Sequence, residues 1–202
     1  MGNYTGPKVR LTRRVGVPIC ETAKHLNPNK ANRPGMHGFR RGRPSLYGTQ
    51  LIEKQKIAFY YNIRDGQFRK YMDKATSSKR GTLTAIQQLL ETRLDNTIRR
   101  LGWARTIWQA RQAVAHGHFM INGRKADRPS MHVKPGDVIT VRDRSQKFVK
   151  DCAETCEGPL PPEWLAVEEG KLEGRVVRLP VPEDVRLPFE VEFGSIIEYY
   201  TR

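Results

Sequence analysis

The chain has 202 residues, 38% of them hydrophobic, enough to bury a core in one or two domains; its three cysteines, Cys20, Cys152 and Cys156, follow no framework spacing and fit a compartment where thiols stay reduced. Against 21 Asp and Glu stand 36 Lys and Arg, and the balance is lopsided: residues 1–150 carry 31 basic and 9 acidic side chains, net +22, while residues 151–202 carry 5 and 12, net −7. With no run of eighteen apolar residues and no secretory signal, a soluble intracellular protein is expected; the natural counter-charge for its body is a phosphate backbone, and an anionic membrane surface ranks well below it for want of a lipidation motif or a long amphipathic basic helix.

Residues 1–48 hold seven glycines and five prolines among ten basic side chains and one acid, Glu21, which favours an extended, irregular arm. Tyr4, Leu11, Val15, Val17, Ile19 and Leu26 are the groups available to pin it down. Removing residues 1–45 is expected to weaken nucleic-acid binding more than it disturbs the fold. Helices are predicted over 49–61 and over roughly 65–74, and a third begins near Thr82 after the linker-like stretch 77–81. Leu83, Ile86, Leu89 and Leu90 repeat at the spacing of a buried helical face.

Leu94, Ile98 and Leu101 lie on one face of a short helix that Gly102 ends. Thr106 and Gln109 have capping-box spacing and open a second helix, which Gly117 closes. Phe119-Met120-Ile121 reads as a strand, Asn122-Gly123 as a type I′ turn, and Pro135-Gly136-Asp137 as the turn before a strand over Val138 to Val141. Together they form an α+β module of about sixty residues. Beyond Asp151 the chain turns acidic and proline-rich, with PLPPEW as a rigid linker. Phe189, Val191 and Phe193 alternate with Glu190 and Glu192, the pattern of a half-buried strand with an acidic outer face. That tail either folds back on the basic body or meets a protein neighbour.

Little in the chain reads as catalysis. Neither Cys152 with Cys156 nor His116 with His118 has a second half that would complete a zinc site, so no metal or other cofactor is expected. His116 and His118, near a helix end, either cap carbonyls or touch phosphate oxygens. There is no nucleophile elbow, phosphate-binding glycine loop or spaced carboxylate pair. Arg93-Leu94-Asp95 matches the short motif that holds the catalytic aspartate of pseudouridine synthases, but it opens the small module instead of lying in a separate catalytic domain; Asp95 is therefore expected to stabilise the first turn of a helix. Trp103 and Trp108 stand among Arg100, Arg105 and Arg111, an interleaving that suits either base stacking or a core; Trp103, beside Gly102, is expected in the core, while both readings stay open for Trp108.

The run RLDNTIRRLGWARTIWQARQAVAHGHFMINGRKADRPSMHVKPGDVITV closely resembles the S-four RNA-binding domain. YTGPK, GMHGFRRGRPSLYGTQLIEKQK, QFRKY and the terminal IIEYYTR extend the likeness to bacterial-type small-subunit ribosomal protein S-four along nearly the whole chain. The resemblance implies an α+β protein: an irregular basic arm (1–48), a helical lobe (49–92) completed by C-terminal residues, the S-four domain (93–150) with two short helices on a small antiparallel sheet, and an acidic, strand-containing extension (151–202). It implies a non-enzymatic constituent of the small ribosomal subunit, bacterial or organellar in type. Such a protein binds the 5′ domain of the ribosomal RNA, nucleates assembly of the subunit body, neighbours proteins five and twelve near the point where messenger RNA enters, and contributes to translational accuracy. No membrane and no small-molecule substrate are implied. Where many relatives carry the first cysteines of a zinc knuckle, this chain has Val9 and Thr12, which places it in a zinc-free branch; Ile107 and Trp108 are more apolar than relatives often show.

RNA of this kind is recognised mainly by shape and backbone, which asks for rigidly mounted cations. The candidates are Lys8, Arg10, Arg13, Arg14, Arg33, His37, Arg40, Arg41 and Arg43 in the arm, and Lys54, Lys56, Arg69 and Lys70 in the lobe. In the module they are Arg100, Arg105, Arg111, His116, His118, Asn122, Arg124, Lys125, Arg128 and Ser130. The hairpin is expected to extend the helical cations as a stiff mount for charge.

Overall fold

The computed structural model describes residues 4–20, 22–27, 32–39, 42, 45–155, 161–168 and 172–201. The chain divides into two compact units, one of residues 1–73 with 187–202 and one of residues 74–186. No helix among the described residues is long and apolar enough to cross a membrane.

In the first unit, α1 (Lys8–Val15) forms inside the stretch read as extended arm, and a single turn, α2 (Ala23–Leu26), follows. Pro7 sits at the N-cap of α1, Gly16 closes it at φ 78°, and Leu11 and Val15, one turn apart, are buried with Ile19. Glycine and proline content missed this helix because both residue types stand at its ends, where they punctuate a helix instead of breaking it. Tyr4, by contrast, is exposed. Deleting residues 1–45 would remove these buried side chains, so that truncation carries a cost to the fold as well as to the charge of the arm.

Helix α3 (Leu46–Tyr60) starts three residues earlier than the apolar pattern suggested, because the Ser45 hydroxyl accepts from the Gly48 amide. After a turn in which Asn62 takes φ 49°, α4 (Asp65–Thr76) supplies Phe68, Tyr71 and Met72 to the core. The segment 189–193 forms no strand: Phe189 packs edge-on against Tyr60 with ring centroids 5.5 Å apart, and Phe193 begins α9 (Phe193–Thr201). Alternation alone cannot make a strand where no neighbouring strand supplies the ladder. Helix α9 lies along α3, with Gln50 Nε2 donating to Glu198 Oε2 at 2.8 Å.

The second unit opens with α5 (Thr82–Glu91). Ile86 and Leu90 are buried as expected, but Leu83 is 42% exposed; the buried face turns instead through Ala85, Gln87 and Glu91. Helices α6 (Leu94–Arg100) and α7 (Ile107–Ala115) follow as read. Leu94, Ile98 and Leu101 are buried, and Gly102 takes φ 76°. The Thr106 hydroxyl accepts from the Gln109 amide, while the Gln109 side chain reaches back to the Arg105 amide, one residue earlier than in a standard capping box. Trp103 is core, stacked on Phe119 with centroids 5.9 Å apart; Ile107 is buried and Trp108 half-buried.

Strands β1 (Phe119–Ile121), β2 (Arg124–Ala126) and β3 (Val138–Val141) form the hairpin region, with Asn122 and Gly123 both at positive φ as a type I′ turn requires. Two further strands, β4 (Leu165–Val167) and β5 (Glu173–Val176), come from the acidic extension and complete an antiparallel sheet of order β2-β1-β3-β5-β4. One face, with Phe119, Ala126, Ile139, Val141, Leu165 and Val176, packs on α6 and α7 in a core shared with Trp164. At β5 the backbone lies against the end of α6: a Cβ on Gly174 would meet Leu101 side-chain carbons at 2.8 and 2.9 Å, so any larger residue must displace that side chain. Beyond β3, α8 (Gln146–Glu154) buries Val149 and Cys152.

Candidate nucleic-acid interface

Cations in the second unit fall into two populations. One is internal. Glu91, at 0% exposure, accepts from Arg100 Nε at 3.0 Å and Nη2 at 2.7 Å, and from Asn96 Nδ2 at 2.8 Å. Asp95, also fully buried, accepts from Arg93 Nε at 3.0 Å and Nη2 at 2.7 Å, from Arg111 Nη1 at 3.1 Å and from the Asn96 amide at 3.0 Å. Arg100 is 8% exposed, and its guanidinium faces Glu91 instead of solvent. Carboxylates with such environments hold guanidinium groups by paired charge-assisted bonds, because an unpartnered buried charge is costly. Arg100 is thus a framework residue, and Arg111, with its side chain 23% exposed, is tied to Asp95. Asp95 does stand in the first turn of α6, but it serves chiefly as the hub of this ion network.

The same junction clamps the loop after the hairpin. The Leu94 and Asp95 amides donate to the carbonyls of Met131 and Pro129, and the Val133 amide donates to the Thr92 carbonyl. His132 Nδ1 shares a 3.1 Å hydrogen bond with the Thr92 hydroxyl. Burial, then the Arg93 guanidinium, holds the His132 imidazole below its ordinary pKa.

The second population is exposed: Arg105 before α7, Arg124 and Lys125 on edge strand β2, Arg128 and Ser130 in the clamped loop, and Lys134 beyond it. The pleat sends Arg124 to the side of Ile121 and Ala126, and Lys125 to the side of Met120, so the two leave the hairpin on opposite faces. Lys125 pairs with Asp127 at 3.2 Å, a solvent-exposed contact, and its side chain covers Gly117. Asn122 is a turn clamp: its Nδ2 donates to Asp137 Oδ1 at 2.8 Å and its Oδ1 accepts from the Val138 amide at 2.9 Å. His116 is exposed, whereas His118 shares a 2.8 Å hydrogen bond with the hydroxyl of buried Ser145. The basic segment Arg142 to Lys150 was passed over in the sequence; its signal was the RDRSQK run followed by Val149 and Cys152 at helical spacing.

In the first unit, Arg10 and Arg14 project one turn apart from the exposed side of α1. Arg13 donates to the Asn32 carbonyl at 2.9 Å, and the Lys8 ammonium bonds the Tyr4 carbonyl and lies 4.9 Å from that ring's centroid. Arg33 and His37 are exposed; Arg40, Arg41 and Arg43 lie outside the described residues. Lys54 is buried, ion-paired with Asp65 and 4.5 Å from the Tyr199 ring centroid, which makes it an internal tie between α3, α4 and α9. The Lys54 contact holds the Asp65 carboxyl below its usual range. Lys56 is bound to Glu53 at 2.6 Å, while Arg69 and Lys70 are exposed on α4. The Thr12 hydroxyl bonds the His25 imidazole, and among the described residues no group of three or more His, Cys, Asp or Glu is placed to hold a metal ion.

Residues 3–91 match the family model described as ribosomal protein S4/S9 N-terminal domain, and residues 92–139 match the S4 domain. Over the whole of both chains the protein is 41% identical to small ribosomal subunit protein uS4 of Sulfurihydrogenibium sp. and 42% identical to that of Aquifex aeolicus. It is 44% identical to the uS4 of Leuconostoc citreum over 100% of this chain and 99% of the relative. Two family models in tandem, and end-to-end likeness to small ribosomal subunit proteins uS4, leave one conclusion: the chain belongs to the small ribosomal subunit protein uS4 family.

Proposed function

We propose that this chain is a structural constituent of the small ribosomal subunit that binds the 5′ domain of the ribosomal RNA, nucleates assembly of the subunit body, and lies beside proteins five and twelve near the messenger RNA entrance, contributing there to decoding accuracy. The observation that carries the ribosomal role is the end-to-end similarity to small ribosomal subunit proteins of the uS4 family. RNA contact is supported by the separation of cations just described: in the second unit internal ion pairs make the frame rigid and exposed Arg105, Arg124 and Arg128 carry charge outward on it, while the first unit by itself exposes Arg10, Arg14 and Arg69. A pseudouridine synthase would need the Asp95 carboxylate open to a uridine, but that group is fully buried and occupied by Arg93, Arg111 and the Asn96 amide.

The test is filter binding of the full chain to separate transcripts of the 5′ and 3′ domains. Tight binding to the 5′ domain alone is expected; with about six to ten phosphates contacted, affinity should fall roughly 10³- to 10⁵-fold between about 50 and 200 mM salt. Equal weak binding to both transcripts, or a flat salt response, would refute the proposal.

A further inference from the structure

Beside the end of α7 lies a cluster of rings that neither the core nor the ion network uses. The His118 ring centroid is 5.1 Å from that of Phe148, at 33°, and 6.0 Å from that of His116, at 65°. Helix α8 buries its Val149–Cys152 face, with Ser145 one turn before Val149; Phe148 stands off that face and is 42% exposed, covering His118 on one side and open on the other. Ser145, 2% exposed, fixes the imidazole through Nδ1, so the ring's orientation is set before any ligand arrives. Burial, followed by His116, Arg144 and Arg142, keeps that imidazole below its ordinary pKa and therefore neutral near pH 7.

Around the rings the charge is mainly positive. Arg142 donates to the Gly117 carbonyl at 3.3 Å; Arg144 and Lys147 are exposed and have no side-chain partner among the described residues. The nearby acid Asp143 accepts from Gln146 Nε2 at 3.2 Å. Open ring faces next to cations free to take phosphates suit an unpaired nucleotide, whereas duplex bases have no exposed faces to offer.

We propose that Phe148, His118 and His116 form a stacking platform for an unpaired base of the ribosomal RNA, with Arg144 and Lys147 binding the adjoining phosphates. This site rests on the RNA-binding reading and adds to it a contact made through bases instead of backbone. Substitution of one stacking aromatic weakens binding by about 5- to 150-fold, and a half-open ring belongs at the lower end of that range.

The test compares full-length wild type with Phe148→Leu and Phe148→Tyr on 5′-domain RNA, each protein's melting temperature being recorded. Leucine keeps an apolar cover on His118 without an aromatic face, so Phe148→Leu should melt like wild type and bind several-fold more weakly, while Phe148→Tyr retains wild-type affinity. Wild-type affinity in Phe148→Leu overturns the platform and leaves the RNA-binding reading standing. Failure of the wild type to bind overturns both. Unchanged RNA affinity with weakened incorporation beside a neighbouring protein would assign the rings to a protein partner and likewise overturn the inference.

Discussion

Replacing Arg100 by alanine separates a framework cation from a phosphate-binding one. Glu91 would keep the bond from Asn96 Nδ2 but lose both guanidinium bonds, of 3.0 and 2.7 Å, at a site that is fully buried. Breaking a buried pair by removing one partner costs about 3–5 kcal/mol. At about 2.1 cal/mol/K per residue, the unit spanning residues 74–186 has an unfolding entropy of about 0.24 kcal/mol/K, so its melting temperature should fall by about 13–21 °C. Scanning calorimetry measures that fall, and filter binding at a temperature where both proteins are folded should give Arg100→Ala the affinity of the wild type. Arg105→Ala is the contrast. As an exposed substitution it should change stability by no more than about 0.5 kcal/mol. The loss of one phosphate contact should reduce the slope of log K against log salt by about 0.7–0.9. If Arg100→Ala melted like the wild type but bound RNA poorly, the assignment of Arg100 to the interior would be wrong.

Two further outcomes follow from the same region. Asp95→Asn keeps the shape but removes the charge that accepts from Arg93 and Arg111; as at Glu91 a buried pair loses one partner, so a loss of about 3–5 kcal/mol is expected in urea unfolding, with 5′-domain binding retained below the transition. Because the His132 imidazole titrates below its ordinary value of 6.5, the unfolded chain takes up protons first as pH falls through that value, so stability is present above it and lost on acidification. The drop in melting temperature between about pH 7.5 and 5 should be smaller in His132→Gln than in the wild type, and an identical drop in both would exclude this histidine as a source.

What the sequence determined by itself was the part written in local and periodic chemistry. The two helices over Leu94–Arg100 and Ile107–Ala115, their Gly102 and Thr106 boundaries, and the Asn122-Gly123 turn follow from spacing and backbone preference, which are set within a few residues. The excess of cations, and hence the class of partner, is likewise a matter of composition. Tertiary structure decided what depends on residues distant along the chain. Two strands from the acidic extension complete the sheet, although nothing local in Leu165–Val167 or Glu173–Val176 says what they pair with. Phe193 enters a helix on α3 in place of the strand its alternation suggested. The fate of each arginine was also decided there: a guanidinium has the same chemistry in Arg100, Arg111 and Arg105, and only the arrival of Glu91 or Asp95 in the same buried space makes the first two internal while the third remains exposed. Sequence states the charge, but the folded neighbours determine whether it is already neutralised.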